Sequence, residues 1–193
     1  MKTLKQAWFK LMKQILKKQK TNTVEDYIEL QCANLTFSCL NIYELTTDEN
    51  IQEDFEEMKK VFFSNEKNIF GHSYGSSLLT PFNEITNPVD AMVTILKDNP
   101  NTRKAVLTFI PYGDKKVPCI TSIQFLVRNN KLNIFYTSRS QDIFRKFPLD
   151  AMCIVSIAEE VAKQLNIELG FVNANIISAH IYLKDIEKAK KLK

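Results

Sequence analysis

Between residues 104 and 183, four short segments with the composition of β-strands flank one long helical pattern. Of all features of the sequence, this arrangement restricts the fold most strongly. Val, Ile, Phe and Thr dominate four segments that predict β-strands: 104–111, 120–127, 131–138 and 171–183. Asn129-Asn130 predicts a hairpin turn between the second segment and the third. Residues 151–166 repeat apolar side chains with the period of a helix. Together they predict an α+β fold, with a mostly antiparallel or mixed sheet packed against helices.

The N-terminal half adds one strand and two helices. Residues 28–45 alternate like a strand, 48–63 predict an acidic amphipathic helix, and 87–100 predict a helix bracketed by prolines. Residues 71–81 have the composition of a loop. The 193 residues contain no repeat or low-complexity linker, so we predict a single domain over residues 21–193.

Residues 1–20 carry seven lysines and no acidic residue. Five apolar side chains share one face of a helix over this segment: Leu4, Trp8, Leu11, Met12 and Ile15. We favour a helix that docks on the domain through this face, with a membrane-surface or partner-binding helix as the alternative. The other 173 residues hold 19 basic and 22 acidic side chains, so nucleic-acid binding is not expected.

Other kinds of site are excluded by the residue types present. Cys32, Cys39, Cys119 and Cys153 form no C-x-x-C pair, and there are two histidines, so neither a metal site nor a disulfide framework is expected. The four glycines form no phosphate-binding loop motif. Because free cysteines are typical of a reducing compartment and no apolar run reaches the roughly 20 residues that span a bilayer, we expect a soluble cytoplasmic protein.

Cys119 is a candidate nucleophile. It follows Pro118 at the start of a predicted strand, and nearby segments contain Arg103, Arg139 and Ser140. Cations lower the pKa of a thiol and so increase the fraction of thiolate, the form that attacks carbon. A small buried hydrophobic side chain is the alternative.

Two short cationic clusters at strand ends, Arg103-Lys104 and Arg139-Ser140, have the chemistry to bind a phosphate group. His180 and Tyr182 alternate along a predicted strand and so point to one face, where they could contact a sugar hydroxyl. Solvated edge charges and core packing are the alternatives for these two sets.

Together these motifs resemble the thymidylate synthase family, most closely its compact archaeal-type members. Pro118-Cys119 followed by Gln124-Phe125 is similar to the nucleophile motif, and residues 139–142 match Arg-Ser-x-Asp. His180-x-Tyr182 matches the family's His-x-Tyr, residues 99–104 match its paired cations, and Tyr74-Gly75 matches its Tyr-Gly segment. The resemblance covers about residues 70–188, and several motifs at compatible spacing make it specific.

The resemblance implies folate-dependent one-carbon transfer without a metal. Cys119 would add to C6 of a pyrimidine nucleotide, so that C5 attacks the one-carbon unit of 5,10-methylenetetrahydrofolate, which Asp142 would face. Arg139 and Ser140 would bind the phosphate, and His180 and Tyr182 the ribose 3′-hydroxyl. The other implied nucleotide contacts are Tyr74 and Gln124, together with Arg103 and Lys104 from the partner in a homodimer joined through its sheets.

The sequence departs from the family pattern at several positions. Ile120 replaces the usual histidine after the nucleophile, and Ser77 replaces an arginine of the Tyr-Gly segment. Eleven residues follow Tyr182, so the long carboxy-terminal part of larger members is not expected. The catalytic glutamate of the family has three candidates by position: Glu44, Glu56 and Glu57.

Asp150 is the departure with the clearest chemical meaning. Family members that act on uracil carry Asn eight residues after the Asp of Arg-Ser-x-Asp, whereas residues 148–150 here read Pro-Leu-Asp. A carboxamide donates to uracil O4 and accepts from N3–H, but cytosine presents a donor at N4 and an acceptor at N3. A neutral carboxyl group matches cytosine, and a carboxylate matches cytosine protonated at N3.

This substitution resembles the cytidylate hydroxymethylase branch of the family, so we expect a homodimeric 5-hydroxymethylase of dCMP or CMP. The alternative for Asp150 is an N-cap or first-turn residue of an ordinary helix. For the protein, the alternatives are a thymidylate synthase acting on dUMP and a nucleotide-binding homologue without transfer activity. Arg145 and Lys146 are expected to be solvated loop charges.

Overall fold

The computed structural model describes residues 1–18, 26–67, 73–79, 87–109 and 117–192. These residues form six α-helices: α1 (Leu4–Leu16), α2 (Glu49–Phe63), α3 (Tyr74–Leu79), α4 (Pro88–Asp98), α5 (Phe147–Leu165) and α6 (Ile186–Lys191). They also form six strands: β1 (Tyr27–Ser38), β2 (Val106–Thr108), β3 (Ile120–Arg128), β4 (Lys131–Ser138), β5 (Gln141–Asp142) and β6 (Glu168–Tyr182). Within these parts, no helix is long and apolar enough to cross a membrane.

The strands form one mixed sheet in the order β1-β6-β4-β3-β2. β4 runs parallel to β6, and the other neighbours in this order are antiparallel. Asn129 and Asn130 both have left-handed backbone angles, with φ of 51° and 56°, which confirms the hairpin turn between β3 and β4. The predicted α+β fold with a mixed sheet packed against helices is confirmed.

β5 continues the line of β4 along β6. Ser138 at the end of β4 pairs with Ile176, and Gln141 in β5 pairs with Ala179 three residues further along β6. The two residues between them, Arg139 and Ser140, therefore interrupt a strand that resumes in the same register. This interruption is the point around which the candidate site forms.

The central element of the helical layer is α5, which packs on β4 and β6 and is contacted by α1, α2 and α4. Thirteen of its 19 residues are buried, so its side chains supply much of the core. α1 begins with a capping box formed by Thr3 and Gln6, and all five apolar side chains predicted on its face are buried. The predicted boundary between residues 20 and 21 lies outside the described residues.

Several predicted boundaries were wrong. β1 ends at Ser38, and the predicted continuation to residue 45 includes a 3₁₀ helix that begins at Glu44. α5 begins at Phe147 rather than at residue 151, because Pro148 lies in its first turn, where the missing N–H has no helical partner to lose. β2 spans only Val106–Thr108 of the described part of the predicted strand.

The predicted loop over residues 71–81 contains α3 within its described part, Tyr74–Leu79. α3 packs closely on the end of α2, since Ser73 Oγ donates to the Ser64 carbonyl at 2.8 Å and a methyl group at Gly75 would overlap the Ser64 backbone. A glycine is required there by space rather than by backbone angle.

The sheet face opposite α5 is partly polar and partly exposed. Asn173 of β6 exchanges hydrogen bonds with Asn34 of β1, at 3.0 and 3.2 Å. Phe135 and Phe171 pack edge to face on the same side, with 5.6 Å between ring centroids, and Ile177 is 45% exposed. We call these five side chains the open sheet face.

Candidate active site

Backbone segments from four elements meet around Cys119. Its carbonyl accepts a hydrogen bond from the Arg139 N–H at 2.9 Å and lies 3.0 Å from the hydroxyl of Ser138, at the end of β4. The next N–H, that of Ile120, donates to the hydroxyl of Tyr74 in α3 at 3.1 Å. Cys119 is therefore fixed between the strand interruption and α3, and its own side chain is partly buried.

The guanidinium of Arg139 folds back on the segment before Cys119. Nε donates to the carbonyls of Pro118 and Val117 at 3.0 and 3.2 Å, and Nη2 donates to Val117 at 2.7 Å. Hydrogen bonds among the described residues leave the Nη1 donors unused, so an anion can still bind at that end of the fork. Arg139 thus orients the nucleophile segment whether or not it also binds phosphate.

The charge balance at the Cys119 thiol differs from the sequence prediction. Burial raises the pKa of Cys119, and the negative charges of Asp150 and Asp142 raise it further, whereas Arg139 lowers it. The prediction that nearby cations would favour the thiolate was therefore wrong for the net effect, although Arg139 acts in the predicted direction. The Cys119 thiol must lose its proton before it attacks carbon, because the thiolate is the nucleophile.

Asp150 is buried at the start of α5, with 5% of its surface exposed. Its carboxyl oxygen Oδ2 accepts a hydrogen bond of 2.5 Å from Nε2 of Gln141, and no side chain caps the N-terminus of α5. The N-cap interpretation is therefore wrong, although Asp150 does lie in the first turn. Burial raises the pKa of Asp150 to about 7, against the opposing influences of Gln141 and Lys146.

Two buried polar residues beside Asp150 were missed by the sequence analysis. Gln141 occupies the variable position of the Arg-Ser-x-Asp motif, and its Oε1 is buried without a hydrogen-bond partner among the described residues. The hydroxyl of Tyr136 in β4 is buried and unpartnered in the same way. Burial, followed by the charge of Asp150, raises the pKa of Tyr136 well above its usual value. Strand alternation around Asp142 was the available signal, since it turns Gln141 inward.

β5 and β6 bring a second group of predicted residues together. Asp142 pairs with His180 in the strand register, and Ser140 Oγ lies 3.4 Å from His180 Nδ1. The rings of His180 and Tyr182 meet edge to face, with 5.1 Å between centroids. Asp142 Oδ1 accepts the N–H groups of Phe144 and Arg145 at 3.0 and 3.1 Å, which orients its carboxylate.

The carboxyl group of Asp142 is only half buried. Burial still raises its pKa, and the N–H of Arg145 and the imidazole of His180 act in the opposite direction. The charges of Asp142 in β5 and Asp150 in α5 both raise the pKa of Cys119.

Arg103, Lys104 and Gln124 lie apart from this cluster within one chain. Both cations are exposed, and the Arg103 carbonyl accepts a 2.8 Å hydrogen bond from Gln124 Nε2. Gln124 lies on the sheet face opposite the buried Ile123 of β3. Gln124 pairs across the strands with Phe135 of the open sheet face, and its hydrogen bond connects the Arg103 backbone to that face.

The three candidate glutamates bind other partners or solvent. Glu44 accepts the Lys5 N–H at 3.2 Å, and Glu56 pairs with Lys59 at 3.1 Å. Glu57 is exposed on α2. In the described parts of the chain, none of them has a hydrogen bond or ion pair with the Cys119 cluster.

Arg145 is exposed, as predicted, but it also forms an ion pair that the sequence did not indicate. Its guanidinium binds both carboxylate oxygens of Asp185, at 2.6 and 2.8 Å, and Asp185 is 1% exposed. Lys146 is exposed, as predicted. Among the described residues, no group of three or more His, Cys, Asp or Glu side chains is placed to hold a metal ion.

Comparison with known proteins agrees with the motifs. The family model for thymidylate synthase matches residues 9–192. A putative thymidylate synthase of Methanocaldococcus jannaschii is 32% identical over 148 residues, covering 70% of this chain and 67% of that protein. Its counterpart in Methanothermobacter marburgensis is 30% identical, covering 72% and 64%. The thymidylate synthase of Buchnera aphidicola is 26% identical, covering 67% and 52%. The chain thus spans about two thirds of the archaeal relatives and about half of the bacterial one.

Proposed function

Because the chain belongs to the thymidylate synthase family, we propose that it transfers a one-carbon unit to C5 of a pyrimidine nucleoside monophosphate. The Cys119 sulfur bonds to C6, and the π electrons of the C5–C6 bond make C5 nucleophilic. The one-carbon unit comes from 5,10-methylenetetrahydrofolate as co-substrate. This division of one substitution into addition and elimination is what a cysteine nucleophile contributes.

The burial of Asp150 beside Cys119 is the observation that carries the more specific proposal, a dCMP or CMP 5-hydroxymethylase. A buried carboxyl group with a pKa of about 7 is available in both protonation states near neutral pH. The pair of Asp150 with cytosine contains one proton between a carboxyl oxygen and N3. The other carboxyl oxygen accepts a hydrogen bond from N4. The proton also stabilises the electron-rich ring that forms when Cys119 adds.

The nucleotide's phosphate and sugar have candidate partners on the same side of the site. The free Nη1 end of Arg139 and the hydroxyl of Ser140 are suited to the 5′-phosphate. His180 and Tyr182, packed ring to ring at 5.1 Å, are suited to the ribose 3′-hydroxyl. Tyr74 supports the site through the backbone of Ile120, beside the nucleophile.

Asp142 fits a role toward the folate co-substrate. Its carboxylate is oriented by two backbone N–H groups and is partly accessible, and a pterin presents ring N–H donors that a carboxylate can accept. In the proposed reaction, water adds to the transferred carbon, so that tetrahydrofolate leaves unoxidised. Thymidylate synthesis differs in taking a hydride from the folate.

The open sheet face supports a homodimer. Arg103 and Lys104 lie exposed and away from Cys119 in their own chain, which fits cations that serve the site of a second copy. The exposed Asn34 and Ile177 and the partly buried Asn173 are surface that a second sheet would cover. The proposed dimer pairs these faces and completes each phosphate site with the partner's two cations.

Two other functions have support of their own. A thymidylate synthase acting on dUMP is favoured by the names of the relatives and by Asp150 itself, since a neutral carboxyl group can also donate to O4 and accept from N3–H. A nucleotide-binding homologue without transfer activity is favoured by the exposed Ser77 at a position where the family carries arginine.

Folate-dependent release of tritium from C5-labelled nucleotides tests all three functions. The full-length chain is incubated with labelled dCMP, CMP or dUMP and methylenetetrahydrofolate, and the nucleotide product is identified by mass. Release from dCMP or CMP with a hydroxymethyl product is the expected result. Release from dUMP alone supports a thymidylate synthase. Nucleotide binding without release from any substrate supports the inactive homologue.

A further inference from the structure

Gln141 is a deeply buried polar residue of the site that has no role in the proposed reaction. It is 1% exposed, its Nε2 donates to Asp150 Oδ2 at 2.5 Å, and its Oε1 has no partner among the described residues. β5 sets this direction, because the pairing of Gln141 with Ala179 and of Asp142 with His180 turns successive side chains to opposite faces.

Packing alone does not account for a carboxamide at this position. Methionine has a similar volume and would fill the space without burying polar atoms, whereas an unpartnered buried amide oxygen opposes folding. The carboxyl group of Asp150 is the partner that Gln141 does bind. The carboxamide therefore differs from an apolar side chain in the hydrogen bond that it donates to Asp150.

A neutral carboxyl group does not by itself distinguish cytosine from uracil. Its proton can lie on either oxygen, so the donor and acceptor can exchange places and match either base edge. A hydrogen bond donated by Gln141 to Oδ2 removes this symmetry. The protonated oxygen of a carboxyl group is the poorer acceptor, so the bond from Nε2 favours Oδ2 as acceptor and leaves the proton on Oδ1.

We propose that Gln141 is a positioning residue for base specificity: it fixes Oδ2 of Asp150 as the acceptor facing N4 and Oδ1 as the donor facing N3, the order that cytosine requires. This inference rests on the proposed function. In the opposite order, required by uracil, the proton would lie on Oδ2 and weaken the bond from Gln141. Gln141 thus acts on the base only through Asp150.

Other groups also face Asp150 and act on the same proton. They are Lys146 at the N-cap of α5, Cys153 within α5, Asp142 of β5, Tyr136 of β4, Tyr74 of α3 and Cys119 before β3. Burial is the largest influence on the pKa of Asp150, and Gln141 is the largest one that favours ionisation. Lys146 acts in the same direction as Gln141, and Asp142 acts against it.

The first measurement uses the nucleotide-free protein. Carboxyl ¹³C NMR of protein labelled at aspartate follows the titration of Asp150, which is assigned from the loss of its signal in Asp150→Asn. Gln141→Met should move the midpoint to higher pH, and Gln141→Leu should do so as well, since neither side chain can donate a hydrogen bond to Asp150 Oδ2. Gln164→Met, the same change on the exposed face of α5, should leave the midpoint unchanged.

The second measurement is the ratio of dUMP to dCMP dissociation constants at a pH below the midpoint, where the carboxyl group is protonated. Gln141→Met should lower this ratio by on the order of tenfold, the value of one hydrogen bond to a charged or acidic group, while Gln164→Met preserves it. If Gln141→Met shifts the titration of Asp150 but the protein binds neither nucleotide, the proposed function is rejected, whereas the effect of Gln141 on Asp150 is retained. Selective binding that is unchanged in both Gln141 variants would reject the positioning role, and so would failure of both variants to fold.

Discussion

Trp8 Nε1 in α1 donates a 2.6 Å hydrogen bond to the carbonyl of Ile143, which lies 135 residues further along the chain and directly follows Asp142. The lysine-rich first helix therefore supports the site segment 142–146 from one side. The ion pair of Arg145 with Asp185 connects the same segment to the residues that follow β6. The docking of this helix through its apolar face was predicted, and its contact with Ile143 makes it part of the structure beneath the site.

Trp8→Phe should weaken this support while keeping an aromatic ring in the core. The Ile143 carbonyl loses a buried donor, so we expect the free energy of unfolding to fall by about 1–2 kcal/mol, part of it from lost packing. Urea unfolding measures the change. Lys13→Ala on the exposed face of α1 is the control, and equal stability of the two variants would contradict the prediction.

Arg145→Met should destabilise the protein more than removal of a surface charge does. Asp185 is 1% exposed and would lose both of its hydrogen bonds to Arg145, which should cost about 2–3 kcal/mol after allowance for the exposed side of the arginine. Thermal and urea unfolding report the effect. Addition of Asp185→Leu should recover part of the lost stability, because it removes the unpaired buried carboxylate.

Cys119→Ala should abolish one-carbon transfer and keep nucleotide binding. We expect tritium release to fall by at least roughly 10³-fold, since the covalent step has no substitute, with dissociation constants changed only a few-fold. Cys32→Ala removes an exposed thiol from β1 and should have no effect. Full activity of the Cys119 variant would exclude both enzyme functions.

Asp150→Asn should shift preference from cytosine to uracil nucleotides. One N–H of the new carboxamide donates to O4 and the other to Oε1 of Gln141, whose carboxamide turns over, while the oxygen of the new carboxamide accepts from N3–H. The ratio of dUMP to dCMP affinity should therefore rise by about 10–100-fold. Calorimetric titration with both nucleotides measures this ratio. Asp90→Asn makes the same change in the first turn of α4 and serves as the control. An unchanged ratio would mean that Asp150 does not contact the base.

The stability of the protein should depend on pH through Asp150. Its pKa rises from 3.8 to about 7 on folding, so the folded state keeps a proton that the unfolded state releases. Stability should therefore fall as the pH rises across this interval and level off above it, by on the order of 4 kcal/mol in total. Asp150→Asn should remove this contribution. The prediction would be contradicted if the free energy of unfolding varied with pH in the same way for the protein and for Asp150→Asn.

Sequence patterns predicted the starts of α2 and α4 to within one residue, but they predicted the end of β1, the start of α5 and the polar interior less well. β4 was predicted with both ends correct, because its alternation is regular and Asn129-Asn130 marks its beginning. α3 was missed, since six residues are too few to display a helical period, and its position depends on the contact of Gly75 with Ser64. The helical period was predicted only from residue 151, whereas α5 begins at Phe147 with Pro148 in its first turn.

Motif spacing indicated which residues have functional chemistry, but not how their charges interact. The eight-residue step from Asp142 to Asp150 identified a carboxyl group of interest, and the structure places it near Cys119. The raised pKa of that cysteine depends on burial and on two carboxylates from different elements, which no local pattern reveals. Gln141 was passed over because its role depends on a contact nine residues away.

Two neighbouring residues of β5 have different roles in the proposed enzyme. Gln141 faces the buried carboxyl group that would read the base, and Asp142 faces outward toward the co-substrate side. On the proposed function, a single change at Gln141 or Asp150 would alter which nucleotide is accepted without moving Asp142, the residue proposed to face folate. In evolutionary terms, such an enzyme would vary its substrate while its one-carbon chemistry stays constant, as long as no residue is inserted or deleted between Arg139 and Asp150.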